Sequence, residues 1–499
     1  MRKQGWMGGW CSMLALAGMV VGPAEVVAQE APAAAEADAA AAMIDVDDLR
    51  VRLGIIADDS MRGRATPSPE LEETAMYVAE QFESFGLRPG NGDSWVQEYP
   101  LTTMRAGPEA AHVVAITGPT GSWQLKFGDD YLASHQGRTA DGTGDLQFVT
   151  VGGEPPDATG KIVALRVTMG NVQQVFGGGL ADMIEGEAAG FLLSLDVPDN
   201  FMNRLRRFLG GERMRLGEPA DASAPVVYLV HSRLPAQLAS VFSGDESPDG
   251  WSARLHTEAV VSTQTAPNTI GILEGSDPEL REEYVIFTAH MDHIGVSSEA
   301  TGDSINNGAD DDGSGTVTII ELAQAFAALE TRPRRSLVFM TVSGEERGLL
   351  GSEWYSENPV VPLEQTIANL NIDMIGRNWQ DTIVAIGKEE STLGPLVESI
   401  AAAHPELNMN VIDDLWPEES FYTRSDHYNF ARKGVPILFF FNGTHEDYHQ
   451  VSDEVDKIGY DKMARIGRLI FYLGLEVANA NERPMWDADA YARIVERIE

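Results

Sequence analysis

Residues 283–315 read EYVIFTAHMDHIGVSSEATGDSINNGADDDGSG. The opening, 283–289, is an apolar run of strand length, rich in aromatic and β-branched residues. His290, Met291 and Asp292 follow at its end. Farther on, a glycine-framed acidic run, Asp310, Asp311 and Asp312, leads into a helix-like segment. Open α/β sheets form their sites beyond the carboxyl ends of strands. A histidine and carboxylates delivered there are the donors that a metal ion needs.

Downstream the pattern alternates between helix and strand. Residues 317–329 place Ile319, Ala323 and Phe326 on one helical face, and 336–342, 367–372 and 383–386 are apolar runs of strand length. Residues 435–441 are continuously apolar, as in a central strand covered on both faces, and 461–477 predict an amphipathic closing helix. Upstream, Ser68-Pro69-Glu70 supplies an N-cap, a first-position proline and an acid at the positive end of a helix. Leu71, Ala75, Val78, Phe82 and Phe85 trace its apolar face up to Gly86, a C-cap. Strands alternating with helices predict an α/β fold, a mostly parallel mixed sheet sandwiched by helices.

Residues 119–258 differ. Short β-like runs at 146–151, 162–167 and 226–230 alternate with Gly and Pro, His231 and His256 are isolated, and no ligand cluster appears. This stretch reads as an inserted β-rich domain between an N-terminal part of the main domain, 44–118, and the catalytic part, 259–499. The N-terminus reads as a signal peptide, 1–28: Arg2 and Lys3, an apolar run at 13–21, then Val26-Val27-Ala28 as the cleavage site. An uncleaved anchor is the alternative. Residues 29–43, rich in Ala, Glu and Pro, read as a flexible linker.

The chain has 499 residues, 43% of them hydrophobic, which is ordinary for a globular protein with room for more than one domain. With 76 acidic and 36 basic residues its formal net charge is -40, which argues against nucleic acid as a partner. The composition fits an exported protein, periplasmic or extracellular, with no membrane span in the mature chain. Cys11 is its one cysteine and falls in the signal segment, so a metal site must use His, Asp and Glu.

His290, Glu345-Glu346, Asp373 and His449 each follow an apolar strand-length run, so separate elements aim donors at one sheet edge. Two histidines and three carboxylates suit a pair of divalent ions, zinc above all. Ions about 3.5–4 Å apart need a carboxylate that touches both. The run 310–312 offers three candidates and spacing does not choose among them. Nor does spacing separate His293 and His445 from His290 and His449. A calcium loop is disfavoured by His290 and by the helix that starts at Thr316. Glu345 and Glu346 point different ways from a turn, so one can ligate while the other takes a proton from an activated water.

AHMDHIG, NNGADDDGSG, SGEERGLLGS, NIDMIGR and DYHQVSDE occur in that order. Together they resemble the motif series of the M28 family of zinc-dependent aminopeptidases, over most of 265–480 and the helix near 68–86. GKIVALRV, within about 125–255, resembles the protease-associated domain inserted in many members. The resemblance implies a zinc-exopeptidase-like fold with two Zn2+ ions. His290, Asp311, Glu346, Asp373 and His449 would be the metal ligands, with Asp311 bridging. Glu345 would be the general base, Asp292 the support of the ligand or base, and Tyr448 a donor to the oxyanion. The motif match sets His293 and His445 aside, and it makes Ser425, Asp426 and His427 of the RSDH segment a pocket wall.

The expected function is hydrolysis of N-terminal residues from peptide substrates. Asp413, Asp414, Glu418 and Glu419 could favour a free α-amine. A carboxypeptidase, with Arg377 and Arg424 as candidate carboxylate binders, and a glutaminyl-cyclase-like enzyme are the alternatives on the same scaffold. A non-catalytic binding protein is a further one. The oligomeric state is not legible.

Overall fold

Strands that are apolar on both faces must be covered on both faces, and the sheet around His290 obeys this. The computed structural model describes residues 32–496 apart from 135–138, 178–179, 211, 218–225, 232–233, 235–237, 239–241, 243–248 and 298–301. The signal-peptide reading of 1–28 lies outside the described residues. So does the start of the expected linker.

The main sheet has ten strands, in the order Asn410–Ile412, Thr382–Ile386, Ile437–Phe441, Thr366–Ile372, Tyr284–His290, Ser336–Val342, Ala259–Leu273, Val96–Ala106 and Arg213–Leu216, with Arg88–Pro89 pairing off this path to Ala259–Leu273. Its centre, Ile437–Phe441 through Ser336–Val342, is parallel, and the ladders flanking it are antiparallel. Alternation along Tyr284–His290 sorts the core. Val285, Phe287 and Ala289 pack under the helices Gly315–Ala327 and Tyr460–Asn479, while Tyr284 and Ile286 pack with Tyr355 and Phe430 on the opposite face. The result is the expected three-layer α/β sandwich. The helix Pro69–Ser84 starts as its sequence requires, with the Ser68 side chain accepting from the Leu71 N–H, and Gly86 (φ +81°) ends it.

The linker expectation is corrected over the described part of 29–43. Ala34–Ala41 is a helix whose Ala37, Ala40 and Ala41 are buried in the main core. Alanine's high helix propensity and small size let this segment pack closely where composition alone suggested a tether. Among the described residues no helix is long and apolar enough to cross a membrane.

A second sheet of eight strands runs Gly121–Leu125, Val113–Gly118, Ser252–Thr257, Ala140–Phe148, Ile162–Thr168, Gly190–Asp196, Val227–His231, Tyr131–Ser134. Val113–Gly118 thus sits in this sheet, earlier in the chain than the expected boundary at 119. Val96–Ala106 leads out of the main sheet and Ala259–Leu273 leads back, paired from Ala106↔Ala259 to Thr269↔Val96. Arg213–Leu216 returns from the insert to lie on the edge of Val96–Ala106.

Arg64, which sequence reasoning passed over, is fully buried. Its Nε donates to the Met291 carbonyl at 2.9 Å, its Nη1 to those of Ile56 and Asn307 at 2.7 Å each, and its Nη2 to Gly308 at 3.0 Å. Burial pulls its pKa down to about 10 against the attraction of Asp292 and Asp453, so it is charged at neutral pH. One guanidinium therefore ties the His290 loop, the Asp310 loop and the helix Val46–Ile56 together. Arg64→Met leaves the buried carbonyls of Ile56, Met291 and Asn307 unpaired, while that of Gly308 keeps the Gly313 N–H, and should cost about 3 kcal/mol or more. Arg62→Met, at a mostly exposed side chain, should stay within about 0.5 kcal/mol. Denaturant unfolding of the two variants beside the parent checks both values.

Candidate metal centre

Four parallel strands end at one edge of the main sheet, and that edge gathers the predicted donors. His290 ends Tyr284–His290, Asp373 follows Thr366–Ile372, Glu345 and Glu346 lie in the turn Glu345–Arg347 after Ser336–Val342, and His449 lies beyond Ile437–Phe441. Asp311 comes from the kinked segment Ala309–Ser314 that opens into the helix Gly315–Ala327.

His290 Nε2 is 3.3 Å from Asp311 Oδ1 and 3.7 Å from Asp373 Oδ1. His449 Nε2 is 3.1 Å from Asp311 Oδ2 and 3.1 Å from Glu346 Oε2. Asp311 thus turns one oxygen to each of two groups. Ligands about 2.0–2.1 Å from a shared tetrahedral zinc are themselves about 3.3 Å apart, the spacing seen here. Asp311 Oδ2, Asp373 Oδ1 and Glu346 Oε1 are buried without a hydrogen-bond partner, which is costly for carboxylates unless a cation offsets it. The donor set fits metal ions. His290, Asp311 and Asp373 form one group of compatible ligand atoms; His293, Asp311 and Glu346 form another.

Among the protein's own charges, burial raises all four carboxylates, but their neighbours separate them. His293, His290 and His449 drive Asp311 well below the ordinary carboxylate range. For Glu346, burial and Asp311 push up, and His293 and His449 bring it below its ordinary value. Glu345 is held well above its ordinary value by burial, helped by Glu346 and Asp373 and opposed by His290. Asp373 is raised by burial despite His290. Burial lowers the His449 pKa, but the carboxylates of Asp311 and Glu346, each 3.1 Å from its Nε2, outweigh it and lift it to about 10.

The three neighbouring aspartates have separate surroundings. Asp312 is an internal staple: Oδ1 accepts from Gly315 N at 2.8 Å and Met374 N at 3.1 Å, and Oδ2 from His290 N at 3.1 Å. Asp310 Oδ1 accepts from Gly376 N at 2.6 Å, and its Oδ2 lies 3.2 Å from His445 Nε2. Only Asp311 turns its carboxylate into the centre, and His445 stands outside it. Asp453 holds this loop from beneath, accepting from Asp310 N at 3.1 and 3.0 Å and from Asp311 N at 3.1 Å.

Asp292 lies behind the centre. Its Oδ1 accepts from Glu345 N at 3.3 Å and its Oδ2 from the Thr66 hydroxyl at 2.7 Å. His290 Nδ1 lies 3.1 Å from the Asp292 main-chain carbonyl, closer than the 3.7 Å to its carboxylate. The carboxylate therefore braces the Glu345 turn, and the carbonyl orients the histidine. Ser425 donates to Asp373 Oδ2 at 2.8 Å and accepts from Asn371 Nδ2 at 3.0 Å. His427 donates Nε2–H to the Tyr422 carbonyl, stacks on Phe439, and is pulled by burial to about 3; it is fully buried and neutral, and of the expected wall residues Ser425 to His427 the cleft is lined by Ser425.

The centre opens into a cleft lined by His290, Asp311, Glu345 and Asp373 together with Phe421, Phe439, Phe441, Arg424 and Tyr448. Tyr448 stacks on His449 with ring centroids 3.9 Å apart. Arg377 is paired with Asp447 at 2.8 Å and does not line the cleft. Nor do Asp413, Asp414, Glu418 and Glu419, contrary to the expectation that they colour its charge. Sequence reasoning also missed Thr66, Asn371 and the role of Asp453. His293, set aside on the motif comparison, lies in the centre: it is 1% exposed with Nδ1 2.8 Å from Glu346 Oε1. Its position three residues after His290 was the available signal.

Known proteins share this framework. The aminopeptidase from Aneurinibacillus sp. strain AM-1 superposes with a TM-score of 0.55 at 19% identity, covering 93% of this chain and 98% of that one. In sequence, the chain is 24% identical over 294 residues to aminopeptidase YwaD of Bacillus subtilis (strain 168), covering 55% of this chain and 61% of that protein. It is 30% identical over 216 residues to leucine aminopeptidase 1 of Penicillium rubens, covering 41% and 55%. The chain therefore spans little more than half the length of these curated relatives. Residues 268–474, which hold every donor described above, match the model of peptidase family M28. Through that region the chain is similar to peptidase family M28.

Proposed function

We propose that this protein is a zinc aminopeptidase that removes N-terminal residues from peptides, with Glu345 as general base. The observation that carries the reading is the division of labour between two adjacent glutamates. Glu346 faces His449 and Asp311 and is held ionised. Glu345 stands apart, 3.9 Å from His290 Nε2, faces the cleft, and is pushed toward protonation. A base with a raised pKa both accepts and returns a proton near neutral pH.

His290, Asp311 and Asp373 would hold one zinc ion and Asp311, Glu346 and His449 the second. Bound there, such ions polarise a carbonyl and acidify a water molecule. Glu345 takes the proton of the attacking water and returns it to the leaving amine. Asp292 keeps that carboxylate in place through the Glu345 N–H. Tyr448, on the cleft wall, offers a phenol donor to the developing oxyanion. Met374, Phe421, Phe439 and Phe441 give the cleft an apolar side for a substrate side chain, while Asp373 and Glu345 suit a free α-amine. Arg424 is the one cation on the described wall and the feature that keeps a carboxypeptidase in view, but it lies over the Phe421 ring and donates to the Glu419 carbonyl. Cleavage of the signal segment after Ala28 and export, and a protease-associated role for the second sheet, complete the reading.

Glu345→Gln should keep its zinc and lose about 10²–10⁴-fold in kcat. A panel of aminoacyl-nitroanilides, with metal content measured on the same samples, checks this. A protein that holds zinc but cleaves no free-amine substrate refutes the aminopeptidase reading and sends the test to blocked, C-terminal and N-terminal glutaminyl substrates.

Asp453 touches no predicted ligand side chain and acts on Asp311 through main-chain N–H groups. Asp453→Asn replaces one acceptor oxygen by a donor facing those groups. Zinc affinity should fall about 10–100-fold with the circular-dichroism spectrum unchanged, as read by competition with a chromophoric chelator.

A further inference from the structure

His293 has a buried imidazole with no hydrogen-bond partner at either nitrogen. Such a group is costly, and native proteins keep it only for a reason. Its Nδ1 nonetheless lies 2.8 Å from Glu346 Oε1 and 3.7 Å from Asp311 Oδ2. A contact that is short yet out of line for an N–H donor is what two ligands make when both point at a third position. Glu346 divides its oxygens accordingly: Oε2 faces His449 and Oε1 faces His293. The ring is held rigidly. Its main-chain N–H donates to the Arg64 carbonyl at 3.3 Å. Gly308 (φ +57°) packs against it so closely that a Cβ there would come within 2.5 Å of the His293 Cγ. The His449 ring stands edge-on, centroids 5.6 Å apart.

We propose that His293 Nδ1 is a further protein ligand of the cation held by Asp311, Glu346 and His449. The proposal rests on the two-cation reading above. It makes the two subsites unequal. The His293 side gains a fourth protein donor and resembles a closed, structural coordination shell, while the side of His290 and Asp373 has three and keeps a position open to the cleft. One ion is then anchored and the other exchanges more readily.

The test uses the full-length protein, labelled with 15N-histidine and loaded with 113Cd. Three imidazole rings should show 113Cd–15N coupling, and one of them should be missing from His293→Asn. Only two coupled rings, or a third that persists in the variant, overturns the proposal while leaving the two-cation centre standing. A protein that takes up no cadmium overturns both. The asparagine places an amide N–H near the position of Nδ1, so it can still hold Glu346 but ligates poorly. In chelator competition with zinc, His293→Asn should weaken one stepwise constant at least about tenfold and leave the other within about threefold. Wild-type constants in the variant would show that His293 merely positions Glu346. The coupling count on the parent protein decides the matter should the variant not fold.

Discussion

Four carboxylates, those of Asp311, Glu345, Glu346 and Asp373, converge on one buried cleft, and their mutual repulsion is the constraint that the surrounding structure answers. Burying carboxylates together is costly unless positive charge or N–H donors compensate. Here compensation is uneven. The imidazoles gather around Asp311 and Glu346 and hold them ionised, while Glu345 and Asp373 are left on the poorer side and pushed up. Two glutamates adjacent in sequence thereby acquire opposite tendencies. Neighbourhood, not residue type, separates the two carboxylates.

Such a cluster cannot hold its own geometry, so the scaffold does it with hydrogen bonds. Asp312 gathers the N–H groups of His290, Gly315 and Met374, joining three elements through one side chain. Asp453 grips the N–H groups of Asp310 and Asp311. Arg64 collects the carbonyls of the two loops that carry His290 and Asp311. A chain of hydrogen bonds from Thr288 to Asn371, then Ser425, ends on Asp373 Oδ2, while Oδ1 faces His290. Each of these lies behind a predicted ligand and fixes which oxygen it turns forward. Preorganisation of this kind lets binding energy go to the metal instead of to ordering loops.

What sequence could show follows from the same division. The apolar strands, the helix at Ser68 and the donors at strand ends are local: their signals lie within a few residues of one another and obey the periods of 2 and 3.6. Asp311, Glu345, Glu346, Asp373 and both expected histidines could be named because each stands at the end of such an element or in an ordered motif. Arg64, Thr66 and Asp453 could not. Arg64 meets Met291 across 227 positions and Asp453 meets Asp311 across 142, and both act on main-chain groups that any residue carries. His293 lies within a motif, but its unsatisfied nitrogens are a property of the packed structure that a motif comparison does not carry. The alanine-rich 29–43 misled for the opposite reason: low complexity signals disorder only where nothing awaits the small side chains, and here the helix Tyr460–Asn479 does.

The strands that lead to the second sheet also frame the Glu345 turn. Val96–Ala106 and Ala259–Leu273 join the sheet beside Ser336–Val342, the strand that leads into Ser343, Gly344 and Glu345. At the buried end of this stalk, Ser343 donates to the Pro267 carbonyl at 2.6 Å, its N–H meets Asn268 Oδ1 at 3.2 Å, and the Tyr99 hydroxyl lies 2.8 Å from its Oγ. The opposite end of Ala259–Leu273 is largely exposed and runs on to the second sheet. One pair of strands thus performs two tasks along its length. Its inner half completes the polar frame behind the Glu345 turn, and its outer half leads to the second sheet. Antiparallel strands suit this, because every residue of one is paired across to the other and the ladder stays stiff where it leaves the core. The two strands that lead to the second sheet are therefore also part of the frame around the Glu345 turn.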